Sequence, residues 1–169
     1  MKRRLFITIL LVVAAANLAL FVWIQQQRDR AAHAGSLTAL DPESIRSIRI
    51  RRADATLVFE RGPEGWRMTT PLQGPARTDR VTDLKALAVL VPLARYPRVG
   101  QPLGQYGLAP PQLTVWLDGT RLDFGKRNAA NGRRFVLTDD GLYLIADTIW
   151  TRLNAPPTSW IVPAEEKAH

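Results

Sequence analysis

The chain has 169 residues, 46% of them hydrophobic, with a net charge of +8 and no cysteine. That length suits one domain with an appendage, and that apolar content is enough for a packed core. The absence of cysteine excludes disulfides, thiolate nucleophiles and cysteine-based metal sites. Half of the excess charge lies near the start, where Lys2, Arg3, Arg4, Arg28 and Arg30 stand against Asp29. The basic balance is therefore partly a targeting signature and not a nucleic-acid footprint.

Residues 5–24, LFITILLVVAAANLALFVWI, carry no charge. A helix of about 20 residues spans roughly 30 Å, the thickness of a bilayer's hydrocarbon core. Three cations precede the run, and Trp23 sits at its far end, where an indole favours the interface. We expect an N-terminal transmembrane helix with residues 1–4 in the cytoplasm and the remainder across a bacterial inner membrane. The competing reading is a signal peptide cleaved near Ala32-His33-Ala34. Residues 25–36 are polar and read as a linker.

A folded domain is expected over 37–162, with a charged tail at 163–169. Ile48 and Ile50 alternate with Arg49 and Arg51 and predict a half-buried strand. A second strand runs from Thr56 to Arg61, and Gly62-Pro63-Glu64-Gly65 turns the chain into a third at Trp66 to Thr69. Thr78, as N-cap, and Asp79 open a helix with Val81, Leu84, Ala88 and Val91 at helical spacing, and Pro92 stops it. Leu93 to Tyr96 is a further strand candidate. Gln105 to Pro111 then combines Tyr106-Gly107 with Pro110-Pro111, a donor-poor approach to the next strand. Leu113 to Leu117, Asp118-Gly119 and Thr120 to Phe124 form one hairpin. Arg134 to Leu137, Asp139-Asp140-Gly141 and Leu142 to Ile145 form another, and Asp147 caps a short helix, Thr148 to Leu153.

A shift of 65 residues pairs Ile48 with Leu113, Ile50 with Val115, Leu57 with Leu122 and Phe59 with Phe124. The expected fold class is therefore α+β, with two similar antiparallel β-β-β-α units. Gln105 to Pro111 falls at the seam between them.

Certain residues point further. The order Gly65-Trp66, Pro71, Ala76, Val81, then Tyr106-Gly107-Leu108 with a proline, Leu122-Asp123-Phe124-Gly125 and Gly141-Leu142-Tyr143 resembles a bacterial family, domain of unknown function 4340. The resemblance runs over about residues 45–155. It implies a membrane-anchored protein with an extracytoplasmic domain, in some relatives a companion of ABC-type transport or gliding-motility machinery. The family has no established catalytic residues to carry over.

The residues offer little for catalysis. The two histidines, His33 and His169, lie in the linker and at the last position. No nucleophile-elbow, Walker or HExxH pattern is present, and Gly100, Gly104 and Gly107 do not open a helix after a strand. Asp139 and Asp140 read as a hairpin turn. No catalytic, cofactor or metal residue is assigned. Lys126, Arg127, Arg133 and Arg134 surround Asn131-Gly132 and suit either an anion-binding loop or a solvated turn. Trp116 stands on the strand face opposite Val115 and Leu117, beside the prolines, where exposure would make it a contact anchor. Tyr106, Pro110, Pro111, Trp116, Lys126, Arg127, Arg133 and Arg134 are thus the candidate interaction surface. Arg46, Arg49, Arg51 and Arg52 form a basic stripe, read either as a docking face or as a charged sheet edge.

We expect a non-enzymatic, membrane-tethered accessory or scaffold subunit of an envelope complex, with other membrane or envelope proteins as partners and no nucleic acid. The alternative is a binding module for a lipid, glycan or peptide.

Overall fold

The computed structural model describes residues 35–163. Its nine strands are β1 (Ser47–Arg51), β2 (Thr56–Gly62), β3 (Gly65–Thr70), β4 (Gly74–Pro75), β5 (Ala94–Tyr96), β6 (Leu113–Leu117), β7 (Thr120–Arg127), β8 (Arg134–Leu137) and β9 (Leu142–Ile145). They form one sheet in the order β4-β3-β2-β1-β6-β7-β8-β9-β5, with every pairing antiparallel. Helix α1 (Thr78–Lys85) continues into a 3₁₀ turn, Ala86–Val89. Helix α2 (Thr148–Leu153) is followed by a second 3₁₀ turn, Pro157–Trp160.

This corrects the expected fold class. The chain does not build two β-β-β-α units; it builds one nine-stranded sheet with few helices. The reason is the pairing of β1 with β6, Ile48 opposite Leu117 and Ile50 opposite Val115. Two separate units would leave β1 and β6 as open edges carrying unpaired backbone groups, and their pairing removes both. Each run of strands has four members, because the two-residue β4 adds to β3 and β9 adds to β8. Strand β5, from the connection after α1, crosses to the far end and pairs with β9. The expected transmembrane helix, 5–24, lies outside the described residues, as do residues 25–34 of the linker and 164–169 of the tail. Among the described residues no helix is long and apolar enough to cross a membrane.

The first hairpins of the two halves share a register. Ile48 faces Phe59 and Ile50 faces Leu57; Leu113 faces Phe124 and Val115 faces Leu122. All eight side chains are buried on one face of the sheet. Val81 and Leu84 of α1, Leu87 and Ala88 of the turn after it, and Ile149 and Leu153 of α2 cover that face. Trp160 closes the core, its ring centroid 5.4 Å from that of Phe59. Helix α1 begins one residue earlier than expected: Arg77, not Thr78, is the N-cap, without a side-chain cap bond, and Thr78 is already helical. Desolvation alone would raise the Asp79 carboxyl pKa. The Arg80 N–H and the Arg77 guanidinium outweigh it and hold the group below its ordinary value.

The opposite face behaves differently along its length. Over β8, β9 and β5 it is covered by residues 97–112, and Leu108, Phe135, Leu137, Leu142 and Leu144 form a second, smaller core there with Ala94, Leu103 and Tyr106. This explains why Arg134–Leu137 and Leu142–Ile145 are buried at every position: both faces of these strands are covered. Over β1 and β2 the same face is largely open, and on β6 it buries Thr114 and leaves Trp116 half-buried.

A single sheet must unfold as a unit. Ile50→Ala, at the β1–β6 seam, is expected to lower stability by about 2–4 kcal/mol, with far-UV circular dichroism and tryptophan fluorescence reporting one shared denaturation midpoint. Two separated transitions would mean that the halves are independent.

Candidate functional site

The covered end of the sheet carries an open groove. Its construction begins at β7, whose register with β8 shifts between Phe124 and Arg127. Within the shift the Lys126 N–H donates to the Tyr106 carbonyl at 2.8 Å, which seats the Gln105–Pro111 segment on the sheet. Gly125 makes that approach possible, because a Cβ there would collide with the Tyr106 carbonyl and the Leu108 side chain. Gly107 supplies the left-handed backbone, φ 65°, that turns the chain just after the tyrosine. Tyr106 then lies against Phe135, ring centroids 4.4 Å apart, and its hydroxyl reaches Gln101 Oε1 at 3.3 Å.

Gln105, Tyr106, Phe135, Lys126, Arg127, Asn128, Ala129 and Ala130 line an open groove of about 570 Å³. A hollow of about 270 Å³ shares Tyr106, Phe135 and Asn128 with it and adds Tyr96, Leu142 and Leu144. The result is an aromatic and aliphatic floor with cations on the rim. Arg127 is tied by its Nε to the Gly132 carbonyl at 3.1 Å and lies 3.5 Å from Asp147. Lys126 is exposed on the same rim.

The predicted interaction residues divide three ways. Tyr106, Lys126 and Arg127 come together in the groove. Pro110 and Pro111 do not reach it; they border a separate hollow of about 260 Å³ with Arg51, Arg52 and Thr114. Trp116 is half-buried on the open face, with the Arg51 and Arg49 guanidinium groups 5.0 and 5.9 Å from its ring centroid. Strand β1 sits between β2 and β6, so these arginines do not guard an edge. Arg133 flanks the turn beside the groove without lining it.

Arg134 is the clear departure from the expected surface. It is 4% exposed and acts as a structural clamp. Its Nε donates to Asp147 Oδ1 at 2.5 Å, and one terminal nitrogen donates to the Gly125 carbonyl at 2.5 Å and to Gln112 Oε1 at 3.1 Å. The guanidinium stacks 3.5 Å from the Trp150 ring centroid. Asp147 is the N-cap residue of α2, as its position suggested, but its side chain makes no cap bond there because Arg134 engages it. Arg52 is similarly buried, donating to the Leu153 and Ala155 carbonyls at the end of α2.

Phe135, Tyr96, Asn128 and Gln105 were not singled out from the sequence. Phe135 carried a signal, since the unbroken Phe135-Val136-Leu137 run implies a strand covered on both faces. Nothing local marked the others. Asp139 and Asp140 form the β8–β9 turn, where Asp139 pairs with Arg98 at 3.3 Å. Among the described residues no group of three or more histidine, aspartate or glutamate side chains could hold a metal.

The described residues form a mostly antiparallel β domain, one nine-stranded sheet with few helices, that carries an open, aromatic-floored groove. Residues 66–167 match the family described as domain of unknown function (DUF4340), and because this span is more than half of the chain, the protein belongs to that family. No curated protein and no solved structure matches the chain.

Two substitutions separate scaffold from surface. Arg134→Met should cost about 2–3 kcal/mol by stranding Asp147 and the Gly125 carbonyl. Arg133→Ala should stay within about 0.5 kcal/mol. Urea denaturation followed by tryptophan fluorescence measures both.

Proposed function

We propose that this protein is a non-catalytic accessory subunit of a bacterial envelope assembly. It is tethered to the inner membrane through residues 5–24 and docks a partner protein through the groove beside β7 and β8. The observation that carries this reading is the groove itself. It is open rather than enclosed, it offers the Tyr106–Phe135 ring pair as a rigid anchor, and its rim presents Lys126 and Arg127. Aromatic anchors ringed by polar groups are the usual make-up of a protein contact, where an aromatic centre supplies most of the affinity. A small-molecule module would be expected to bury its ligand in a deeper, more enclosed cavity.

The rim charges favour a partner that brings carboxylates to Lys126 and Arg127, with aromatic or aliphatic side chains for the floor. The residues 5–24 run, with three cations before it, supports a cytoplasmic N-terminus and an extracytoplasmic domain.

Crosslinking in native membranes, with mass spectrometry of what co-purifies, tests the proposal when wild type is compared with a Lys126→Glu/Arg127→Glu variant. A stoichiometric partner recovered with wild type and reduced about tenfold with the variant is the expected result, a loss equivalent to roughly 1.4 kcal/mol. Equal recovery with both, from equally folded protein, would place the docking surface elsewhere. Recovery of the chain alone from wild-type membranes would count against an accessory role.

A further inference from the structure

The large apolar side chains left exposed among the described residues are Val89, Val91, Leu93, Tyr96 and Val99, all within one short stretch. Three of them alternate. Val89, Val91 and Leu93 are 37, 71 and 53% exposed, while Leu90, Pro92 and Ala94 between them are half-buried. Leu90 packs on the main core and Ala94 on the smaller one. Val89 closes the 3₁₀ turn and Leu93 lies at the bend before β5, so the connection between them turns its apolar side chains outward, the reverse of the usual polar-out pattern. Arg95 follows the stripe at the next outward position and is exposed.

The place where the chain enters the domain is beside this stripe. The Leu37 N–H donates to the Leu90 carbonyl at 2.9 Å, and the Thr38 hydroxyl donates to the Ala88 carbonyl at 3.0 Å. Leu37 and Thr38 are both buried, so this junction is fixed. Only ten residues, 25–34, separate Gly35 from the end of the apolar run at Ile24. Fully extended they reach at most about 36 Å. A tether formed by 5–24 would join the domain through the Leu37–Leu90 junction, and the stripe borders that junction.

We infer that Val89, Val91 and Leu93 form a membrane-contacting stripe that seats the domain on the outer leaflet of the bilayer that anchors it. The inference rests on the tethering reading. The alternation of aliphatic side chains followed by an arginine suits this interface, with the aliphatics entering the headgroup–acyl boundary and Arg95 at the level of the phosphates. Seating would fix the orientation of the groove relative to the membrane, so that a partner in the same membrane meets it from one side.

The absence of cysteine permits single-site labelling. Full-length Val91→Cys and, as control, Thr69→Cys on β3 would carry an environment-sensitive fluorophore after reconstitution into phosphatidylethanolamine–phosphatidylglycerol vesicles containing headgroup-proximal doxyl lipid. Several-fold stronger lipid quenching at position 91 than at 69 is expected. Equal quenching in protein that resists alkaline carbonate extraction would overturn the stripe while leaving the tether standing. Release by carbonate would remove the tether and the inference with it. A blue-shifted label at 91 without lipid quenching would mean that protein covers the stripe, and would also overturn it.

Discussion

The constraint on which the groove depends is the buried guanidinium of Arg134. It joins β8 to the carboxylate that begins α2, to Gln112 just before β6, and to the carbonyl of Gly125 in the irregular part of β7. A buried cation is tolerable only when its donors are satisfied, and here a carboxylate, a carbonyl, an amide oxygen and the Trp150 ring share the task. The next residue after Gly125 uses its N–H to hold Tyr106. The clamp inside the sheet and the aromatic floor outside it are therefore one backbone step apart. That is why a short segment rich in glycine and proline can be held rigidly against the sheet.

The single sheet gives the domain two working regions. At one end, residues 97–112 cover the back of β8, β9 and β5 and create the groove. In the middle, the back of β1 and β6 carries Arg49 and Arg51, whose guanidinium groups lie over the half-buried Trp116 ring. The other face is closed by α1, α2 and Trp160. Strand β4 is covered at its edge by the last described residues, since the Val162 N–H donates to the Pro75 carbonyl at 3.0 Å. Strand β5 pairs only with β9 among the described residues.

Local structure was largely legible in the sequence. The alternation at Ile48 and Ile50, the turn at Asp118-Gly119 and the helix opening at Thr78 and Asp79 each follow from side-chain period or turn chemistry. The pairing of strands was not legible in the same way. Ile50 has the same apolar character toward Leu57 as toward Val115, so nothing local says that β1 is shared between two hairpins. β4 was invisible because two residues have no period. Arg134 reads as a surface cation beside Arg127 and Arg133, and only the fold brings Asp147, Gly125 and Trp150 around it. The groove depended on knowing that Gln105–Pro111 lies across the back of β8. Gly125 hinted at a close backbone approach but could not name the partner.

Arg134 holds the Tyr106 segment in place through the irregular part of β7. Hydrogen exchange of the full-length protein in detergent, followed by mass spectrometry, tests it by comparing wild type with Arg134→Lys, which keeps the charge but not the fork of donors. Peptides spanning 103–108 and 124–128 are expected to lose protection together in the variant, while those from β1 and β6 keep theirs. If 103–108 already exchanges freely in wild type, or stays protected when 124–128 opens, the coupling between clamp and groove does not exist.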